Sequence, residues 1–185
     1  VGNSLGMSPQ SGLPHNNRVG DFDVFALPVL LKESGLSLEQ ILDVLAERSG
    51  LAGISGAGND LRDIEQAAAG GDEHAQLAID VFVGSIRDYL GAYLVRLGGC
   101  DAIVFTGGIG ENSTVVRAGV CRGLQAFGID LDLQKNQQAK GEMKISSAAS
   151  CTEIWIVPTN EEIVVARQSY ERLSQAGSMQ DKAGK

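Results

Sequence analysis

Three glycines stand where an apolar run gives way to a helical pattern. Gly107, Gly108 and Gly110 follow residues 101–106, whose β-branched and aromatic composition predicts a short buried strand. A glycine-rich strand end that leads into a helix leaves backbone N–H groups uncovered at the positive end of the helix dipole. That chemistry suits a phosphate or a ribose, and Asn112 could add a directed hydrogen bond. Glycines also end strands for steric reasons alone, so both interpretations stay open here.

A second predicted strand end carries carboxylates. Residues 154–157 are apolar, Pro158 interrupts the strand, and the Thr-Asn pair that follows can cap a helix. Glu161 and Glu162 then fall in the first helical turn, where the dipole favours carboxylates in any case. The helix dipole alone is a sufficient explanation for Glu162. Glu161, beside a loop that cradles phosphate, is instead a candidate Mg²⁺ ligand, because that ion prefers oxygen ligands and keeps several waters.

A dinucleotide-binding fold is an alternative source of such glycines. Gly108 and Gly110 form a Gly-x-Gly pair, and Asp130 lies 20 positions beyond Gly110, where a ribose-binding acid is expected. However, Ser113 occupies the third glycine position, and the chain before the motif is helical. The sequence therefore gives this alternative less support.

Helical spacing of apolar residues predicts the elements that position these groups. Helices are expected over residues 22–33, despite an internal proline, over 38–48 after a serine cap, and over 73–97 after an aspartate cap. Residues 116–127 repeat apolar side chains at the same spacing and predict a further long helix. A last helix is expected to run from about position 160 to 173.

The segments between these helices are predicted from glycine content and polarity. Residues 50–63 hold four glycines between Gly50 and Gly58, which predicts a loop with demanding backbone angles. Residues 129–133 are expected to form a strand that leads into surface loops. One domain, residues 1–173, is predicted, and the polar tail 174–185 is expected to be disordered.

Composition restricts the classes of partner. The chain of 185 residues is 43% hydrophobic with a net charge of −8, and its basic residues are scattered, which argues against nucleic acid. No run approaches the roughly 20 apolar residues that a membrane helix needs. The cysteines at positions 100, 121 and 151 lack metal or redox spacing and predict a reduced, cytoplasmic protein. His15 and His74 are interpreted as surface or loop histidines.

Four ordered motifs resemble the C-terminal domain of the acetate and propionate kinases. They are NNRVGDFD at residues 16–23, GISGAGNDLRDIE at 53–65, FTGGIGENS at 105–113 and VPTNEE at 157–162. Their order and spacing are far more specific than a single glycine loop. The resemblance implies an α/β fold of the actin-like ATPase (ribonuclease H-like) class, with a mixed sheet flanked by helices.

The same resemblance implies roles for residues of the motifs. Arg18 would stabilise the transferring phosphoryl group, as suits a planar and permanently charged guanidinium. Glu161 would belong to the Mg²⁺ site. Two of the motif segments would hold adenosine. Relatives often carry Met at the position of Leu61. These nucleotide-binding positions are Asp60, Leu61, Arg62, Gly108, Ile109, Gly110, Glu111 and Asn112.

The implied reaction moves the γ-phosphoryl group reversibly between ATP and a short-chain carboxylate, as in acetate plus ATP giving acetyl phosphate plus ADP. Relatives carry an N-terminal domain with a phosphate loop and further catalytic residues, and none of these has a counterpart here. The chain alone is therefore expected to bind adenine nucleotide weakly and to have negligible kinase activity. Family members are typically homodimers, which the helix over residues 73–97 could serve. A non-catalytic interaction module remains the third alternative.

Overall fold

The computed structural model describes residues 2–160, 162–163, 165–170 and 172. Helices and short strands alternate in its second half, after a first half made of helices. In chain order the elements are a 3₁₀ turn (Val24–Ala26), α1 (Leu27–Ser34), α2 (Leu38–Glu47), α3 (Gly50–Ser55), α4 (Leu61–Ala69), α5 (Glu73–Leu97), β1 (Ala102–Phe105), α6 (Gly107–Asn112), α7 (Thr114–Cys121), a 3₁₀ turn (Gln125–Phe127), α8 (Leu133–Gln138), β2 (Met143–Lys144) and β3 (Glu153–Ile156).

The sheet has the strand order β1-β3-β2, with β3 in the centre. β1 pairs with β3 in parallel, with Ala102 opposite Glu153 and Phe105 opposite Ile156, whereas β2 pairs antiparallel. The sheet is thus mixed and flanked by helices, as the family resemblance implies. Parallel pairing places the carboxyl ends of β1 and β3 at the same end of the sheet. The two segments that carry the predicted chemistry therefore begin side by side.

Helix α5 is the centre of the core and contacts α3, α4 and α7. Its inward face is buried from Ala75 to Phe82, in agreement with the predicted apolar stripe. The stripe does not continue to the end of the helix, because Leu97 is 61% exposed. The core also contains residues of β1, β3, α7 and the loops that connect these elements, namely Phe105, Val116, Val120, Ile129, Ile145, Ile154 and Ile156.

Side-chain caps begin α2 and α5, as the sequence predicts. Asp72 accepts hydrogen bonds from two backbone N–H groups in the first turn of α5, at 2.9 and 3.0 Å. Ser37 and Gln40 form a reciprocal capping box at the start of α2. The predicted helix over residues 22–33 begins later, at Leu27, because Pro28 is tolerated only in a first turn.

The predicted loop over residues 50–63 is wrong at both ends, where Gly50–Ser55 forms α3 and Leu61 begins α4. Leu51 is fully buried in this helix, and α3 packs on α5. Burial against α5 offsets the low helix propensity of the glycines, which local composition cannot reveal. The glycines instead serve the ends of the helix, where Gly50 and Gly56 have φ values of 61° and 64°.

The long helix predicted over residues 116–127 is interrupted. α7 ends at Cys121, and only a 3₁₀ turn follows, in which Phe127 is 71% exposed. Residues 129–133 do not form the predicted strand: Leu131 makes an isolated bridge to Ser146, and Leu133 begins α8. β1 is only partly buried, since it lies at the sheet edge and Val104 is exposed.

The last predicted helix is present in the described residues. Positions 162–163, 165–170 and 172 are helical, and the side chain of Asn160 accepts a hydrogen bond from Ile163 N at 3.0 Å. The predicted domain end at 173 and the tail 174–185 lie outside the described residues. Within the described part, no helix combines the length and apolarity that crossing a bilayer requires. All three cysteines are free.

Gly50 and Gly56 allow a matched test of how α3 is held. A Cβ on Gly50 would lie 2.4 Å from the Arg18 carbonyl oxygen, whereas one on Gly56 would meet nothing within 4 Å. Gly56→Ala should cost about 1 kcal/mol of unfolding free energy for its left-handed backbone alone. Gly50→Ala should cost about 1–3 kcal/mol more through the clash, as measured by urea denaturation. Equal losses in the two variants would contradict this packing.

Candidate functional site

A cavity of about 710 Å³ lies where α4 and the α6–α7 segment face the start of the chain. This volume is typical of a site for a small organic molecule. One wall is the turn at positions 15–16, the second is the first half of α4, and the third is the glycine helix α6 with its junction to α7. The lining residues are His15, Asn16, Asn59, Asp60, Leu61, Arg62, Glu65, Gly108, Ile109, Asn112 and Ser113.

The α4 wall carries an ion pair at its first turn. Asp60 caps α4 by accepting a hydrogen bond from Arg62 N at 2.9 Å, and the Arg62 guanidinium donates to both carboxylate oxygens. Hydrogen bonds from the Arg62 side chain and backbone lower the pKa of Asp60 to about 2. Leu61 is buried between them and anchors the turn in the core. The exposed guanidinium is thus held at the mouth of the cavity.

The α6 wall differs from the predicted open loop, because the glycines belong to a short helix. The Gly107 N–H is not free, since it donates to Thr159 Oγ1 at 2.9 Å. Gly108 presents open backbone to the cavity: a Cβ there would have no neighbour within 4 Å. Asn112 donates to the Gly108 carbonyl at 2.8 Å, which fixes its amide along the same wall.

Gly110 and Glu111 do not line the cavity. A Cβ on Gly110 would lie 3.2 Å from the carbonyl carbon of Phe105, so this glycine allows α6 to approach β1 closely. Glu111 accepts hydrogen bonds from the backbone and hydroxyl of Thr159, at 2.9 and 3.1 Å. The backbone N–H of Thr159 is the first cause that lowers the pKa of Glu111. Both residues hold α6 against the strand ends.

Arg18 lies beside the cavity and not among its lining residues. It forms an antiparallel bridge with His15, and its guanidinium donates to the Pro9 carbonyl at 3.0 Å. Its neighbour Asn16, two positions away, does line the cavity. Glu161 lies outside the described residues, so the structure gives no position for the predicted Mg²⁺ ligand.

The first missed residue is His15, which is half-buried and not a surface residue. Its ring packs edge-on against Phe82, with 6.1 Å between ring centroids. Its Nδ1 is buried and has no hydrogen-bond partner among the described residues. Burial, followed by the charge of Arg18, lowers the pKa of His15. Its place three positions before the motif arginine Arg18 was the available signal.

Glu65 and Ser113 form the second missed pair, which closes the end of the cavity. Ser113 is buried, caps α7 by accepting from Val116 N at 2.9 Å, and donates its hydroxyl proton to Glu65 Oε1. Helical spacing was the available signal, because Glu65 follows Arg62 by three positions and shares its face of α4.

Arg117, a third missed residue, is 1% exposed behind the glycine wall. It donates to the carbonyls of Gly110 and Glu111, both at 2.9 Å, and to the side chain of Asn136 at 2.7 Å. A buried guanidinium that satisfies the last carbonyls of α6 fixes where this helix ends. Arg117 therefore positions the glycine wall without touching the cavity.

Asp130, the expected acid of a dinucleotide site, is not among the lining residues. It accepts hydrogen bonds from Ser147 Oγ at 2.5 Å and Gln125 Nε2 at 3.2 Å, so it holds a turn together. A second cavity of about 740 Å³ lies between the 12–21 segment, α3 and α5. None of the predicted site residues that the structure describes lines this second cavity. Its Asp21 accepts from Gly12 N and Tyr89 Oη, which ties that segment to α5.

Known proteins share this architecture. The chain matches a crystal structure of Porphyromonas gingivalis acetate kinase with a TM-score of 0.85 and 40% identity, over 92% of this chain and 43% of that one. It matches a Francisella tularensis propionate kinase structure with a TM-score of 0.81 and 37% identity, over 88% and 41% of the respective chains. These likenesses, with the mixed sheet and its helices, define an actin-like α/β fold.

Sequence comparison is more specific. The model of the acetokinase family matches residues 1–167, and the chain belongs to that family. An acetate kinase of Heliobacterium modesticaldum is 45% identical over 173 residues, which are 94% of this chain and 43% of the relative. The chain thus spans less than half the length of the curated relatives that it matches.

Removal of the buried Arg117 charge should be costly. Arg117→Met leaves carbonyls of α6 and the Asn136 side chain without partners, so we expect a loss of about 3 kcal/mol or more in unfolding free energy. Arg122→Met, at an exposed neighbouring position, is the control and should change stability by less than about 0.5 kcal/mol. Comparable denaturant midpoints for the two variants would show that Arg117 does not hold α6.

The His15 environment gives a pH-dependence. Because folding lowers its pKa below 6.5, His15 contributes stability that is present above that pH and decreases as pH falls through the folded value. His15→Gln should therefore lose less unfolding free energy than the parent chain between about pH 7 and about pH 5. The exposed His74→Gln should follow the parent curve. Parallel urea-derived curves for His15→Gln and the parent would rule out this coupling.

Proposed function

We propose that this chain is the adenosine-binding part of a short-chain carboxylate kinase, an enzyme that transfers the γ-phosphoryl group reversibly between ATP and a carboxylate such as acetate or propionate. The observation that carries the proposal is the shared cavity. Two motif segments almost fifty positions apart, at Asp60–Arg62 and Gly108–Asn112, contribute adjacent walls of it. The family membership and the named relatives support the same activity.

The lining residues have the chemistry that adenosine requires. Gly108 offers bare backbone and Ile109 an apolar side chain, on which a purine face can lie. Arg62, held by Asp60, can stack its guanidinium on the other face of the base. In this arrangement Asp60 fixes the arginine as well as capping α4. The ion pair therefore presents a preorganised plane to the base.

Arg18 extends the proposal from the nucleoside to the phosphates. In the family its counterpart stabilises the transferring phosphoryl group, and in this chain Arg18 lies two positions from Asn16, which lines the cavity. Phosphoryl transfer needs charge stabilisation from several sides of the γ-phosphate. Arg18 alone, on one side of the γ-phosphate, supplies only part of this charge stabilisation. We therefore propose that the remaining catalytic groups come from an N-terminal domain and that this chain alone has negligible activity.

Mg²⁺ is the proposed metal, with Glu161 as its protein ligand. The described residues contain no cluster of three or more His, Cys, Asp or Glu side chains suited to a metal. This fits Mg²⁺ bound to a nucleotide, which takes one or two carboxylates and completes its shell with phosphate oxygens and water. When bound, the ion would neutralise the charge that develops on the phosphates.

A homodimer, which the family resemblance implies, and a cytoplasmic location, which the cysteine spacing predicts, are further parts of the proposal. Exposed apolar side chains on α5, Leu77 and Val81 among them, support a role for this helix in association. The odd number and wide spacing of the cysteines support a reducing compartment.

A nucleotide titration tests the proposal. Saturable NMR shift changes with Mg·ADP are expected at Gly108 and Asn112, whereas NAD should give none. Arg62→Ala should weaken ADP binding by about tenfold, because stacking of a cation on a base is worth about 1–2 kcal/mol. The matched control is Arg48→Ala, which alters the second cavity and should leave ADP affinity unchanged.

The expected inactivity has its own measurement. Acetyl phosphate formation by the purified chain should stay at the background level in the presence of Mg·ATP and acetate. Turnover comparable with that of a full-length acetate kinase would contradict the division of the site between two domains. A preference for NAD over ADP in the titration would overturn the nucleotide assignment itself.

A further inference from the structure

Among the described residues that line the cavity, Glu65 is the one acidic residue whose carboxylate still has an oxygen without a hydrogen-bond partner. Its Oε1 accepts the Ser113 hydroxyl proton, and its Oε2 has no hydrogen-bond partner among the described residues. Asp60, in contrast, uses both oxygens on Arg62 and one of them also on the first turn of α4. A donor group on a ligand would therefore compete with Arg62 at Asp60 but not at Glu65.

The position of Glu65 is fixed on two sides. It lies one helical turn after Arg62 on α4, about 4.5 Å further along the axis. Its partner Ser113 is buried and is itself held by Val116 N, so the Glu65 side chain cannot rotate away without losing a hydrogen bond. Side chains held in this way select a ligand with little loss of their own conformational entropy.

A structural explanation for Glu65 is a counter-charge for Arg117. The carboxylate acts on the buried guanidinium through its charge, but the two are not hydrogen-bonded. Arg117 has its own partners in two carbonyls and in Asn136. Counter-charge alone would not place the carboxylate on the cavity wall, where Glu65 and Ser113 both lie.

We propose that Glu65, held by Ser113, is a specificity-determining residue that accepts a hydrogen bond from a neutral donor of the bound nucleoside. This inference rests on the proposed adenosine site. A carboxylate only accepts hydrogen bonds, so the donor is either a ribose hydroxyl or the 6-amino group of adenine. Either source has the same consequence: loss of that donor from the ligand lowers affinity only while Glu65 is present.

The experiment compares ADP with three analogues on each protein variant. In 2′-deoxy-ADP and 3′-deoxy-ADP a ribose hydroxyl is missing, and in IDP an oxygen replaces the 6-amino group. Dissociation constants come from NMR titrations of the chain, which also measure millimolar binding. The variants are Glu65→Ala, the conservative Glu65→Gln, and Glu73→Ala as an exposed control at the start of α5.

The expected result is a preference of the parent chain for ADP over one analogue by about tenfold, since a hydrogen bond to a charged group is worth about 1.5–3 kcal/mol. Glu65→Ala should reduce this ratio to within about twofold, Glu65→Gln should give an intermediate value, and Glu73→Ala should keep it. The analogue that the parent chain binds more weakly than ADP identifies the donor group on the nucleoside. Because each ratio is measured on one variant, a loss of stability in that variant does not change it.

Two outcomes would overturn the inference while the proposed function stands. Either the parent binds ADP but discriminates against none of the three analogues, or its discrimination survives in Glu65→Ala. If the parent binds none of the nucleotides, the adenosine site itself is wrong and the role of Glu65 is wrong with it.

Discussion

Parallel pairing of β1 with β3 is the constraint on which the arrangement of this protein depends. The two strands are separated by nearly fifty residues, yet their register brings Phe105 opposite Ile156. The segments that follow the two strands therefore begin at the same end of the sheet. Thr159 uses this closeness to bond to Thr106, Gly107 and Glu111, which joins the two strand ends. A shift of β3 by one residue would exchange its buried and exposed faces and separate these partners.

The polar groups of the candidate site are held before any ligand arrives. Asp60 holds Arg62, Ser113 holds Glu65, and Asn112 is held by the Gly108 carbonyl. Arg117 supports the same wall from within the core, where its charge is balanced mainly by carbonyl and amide dipoles. Fixing these groups during folding removes an entropic cost from binding. The stability of the domain and the geometry of the cavity thus depend on the same hydrogen bonds.

Much of the architecture could be predicted from local sequence. Ser37 and Asp72 begin helices where capping chemistry predicts them, and Ile154 and Ile156 form a buried central strand. The errors concern segments whose structure depends on distant contacts. Gly50–Ser55 is helical because Leu51 is buried against α5. The helix predicted over residues 116–127 ends at Cys121, where the Arg87 guanidinium of α5 donates to the carbonyls at positions 119, 120 and 122. Glycine content and apolar spacing describe only the local sequence, so they cannot predict either of these tertiary contacts.

The same division between local sequence and tertiary contacts applies to the candidate site. Types and spacing of residues determined the motif segments and the scattered placement of the basic residues. The family resemblance of these segments implied that Asp60–Arg62 and Gly108–Asn112 share one binding function, which stays a prediction. Only the tertiary structure decided which members face the cavity. Gly108, Ile109 and Asn112 line it, whereas Gly110 and Glu111 turn to β1 and Thr159. It also added His15, Glu65 and Ser113. The reason is physical: a helix presents each residue in a different direction, and only the elements packed around it determine which direction is the cavity.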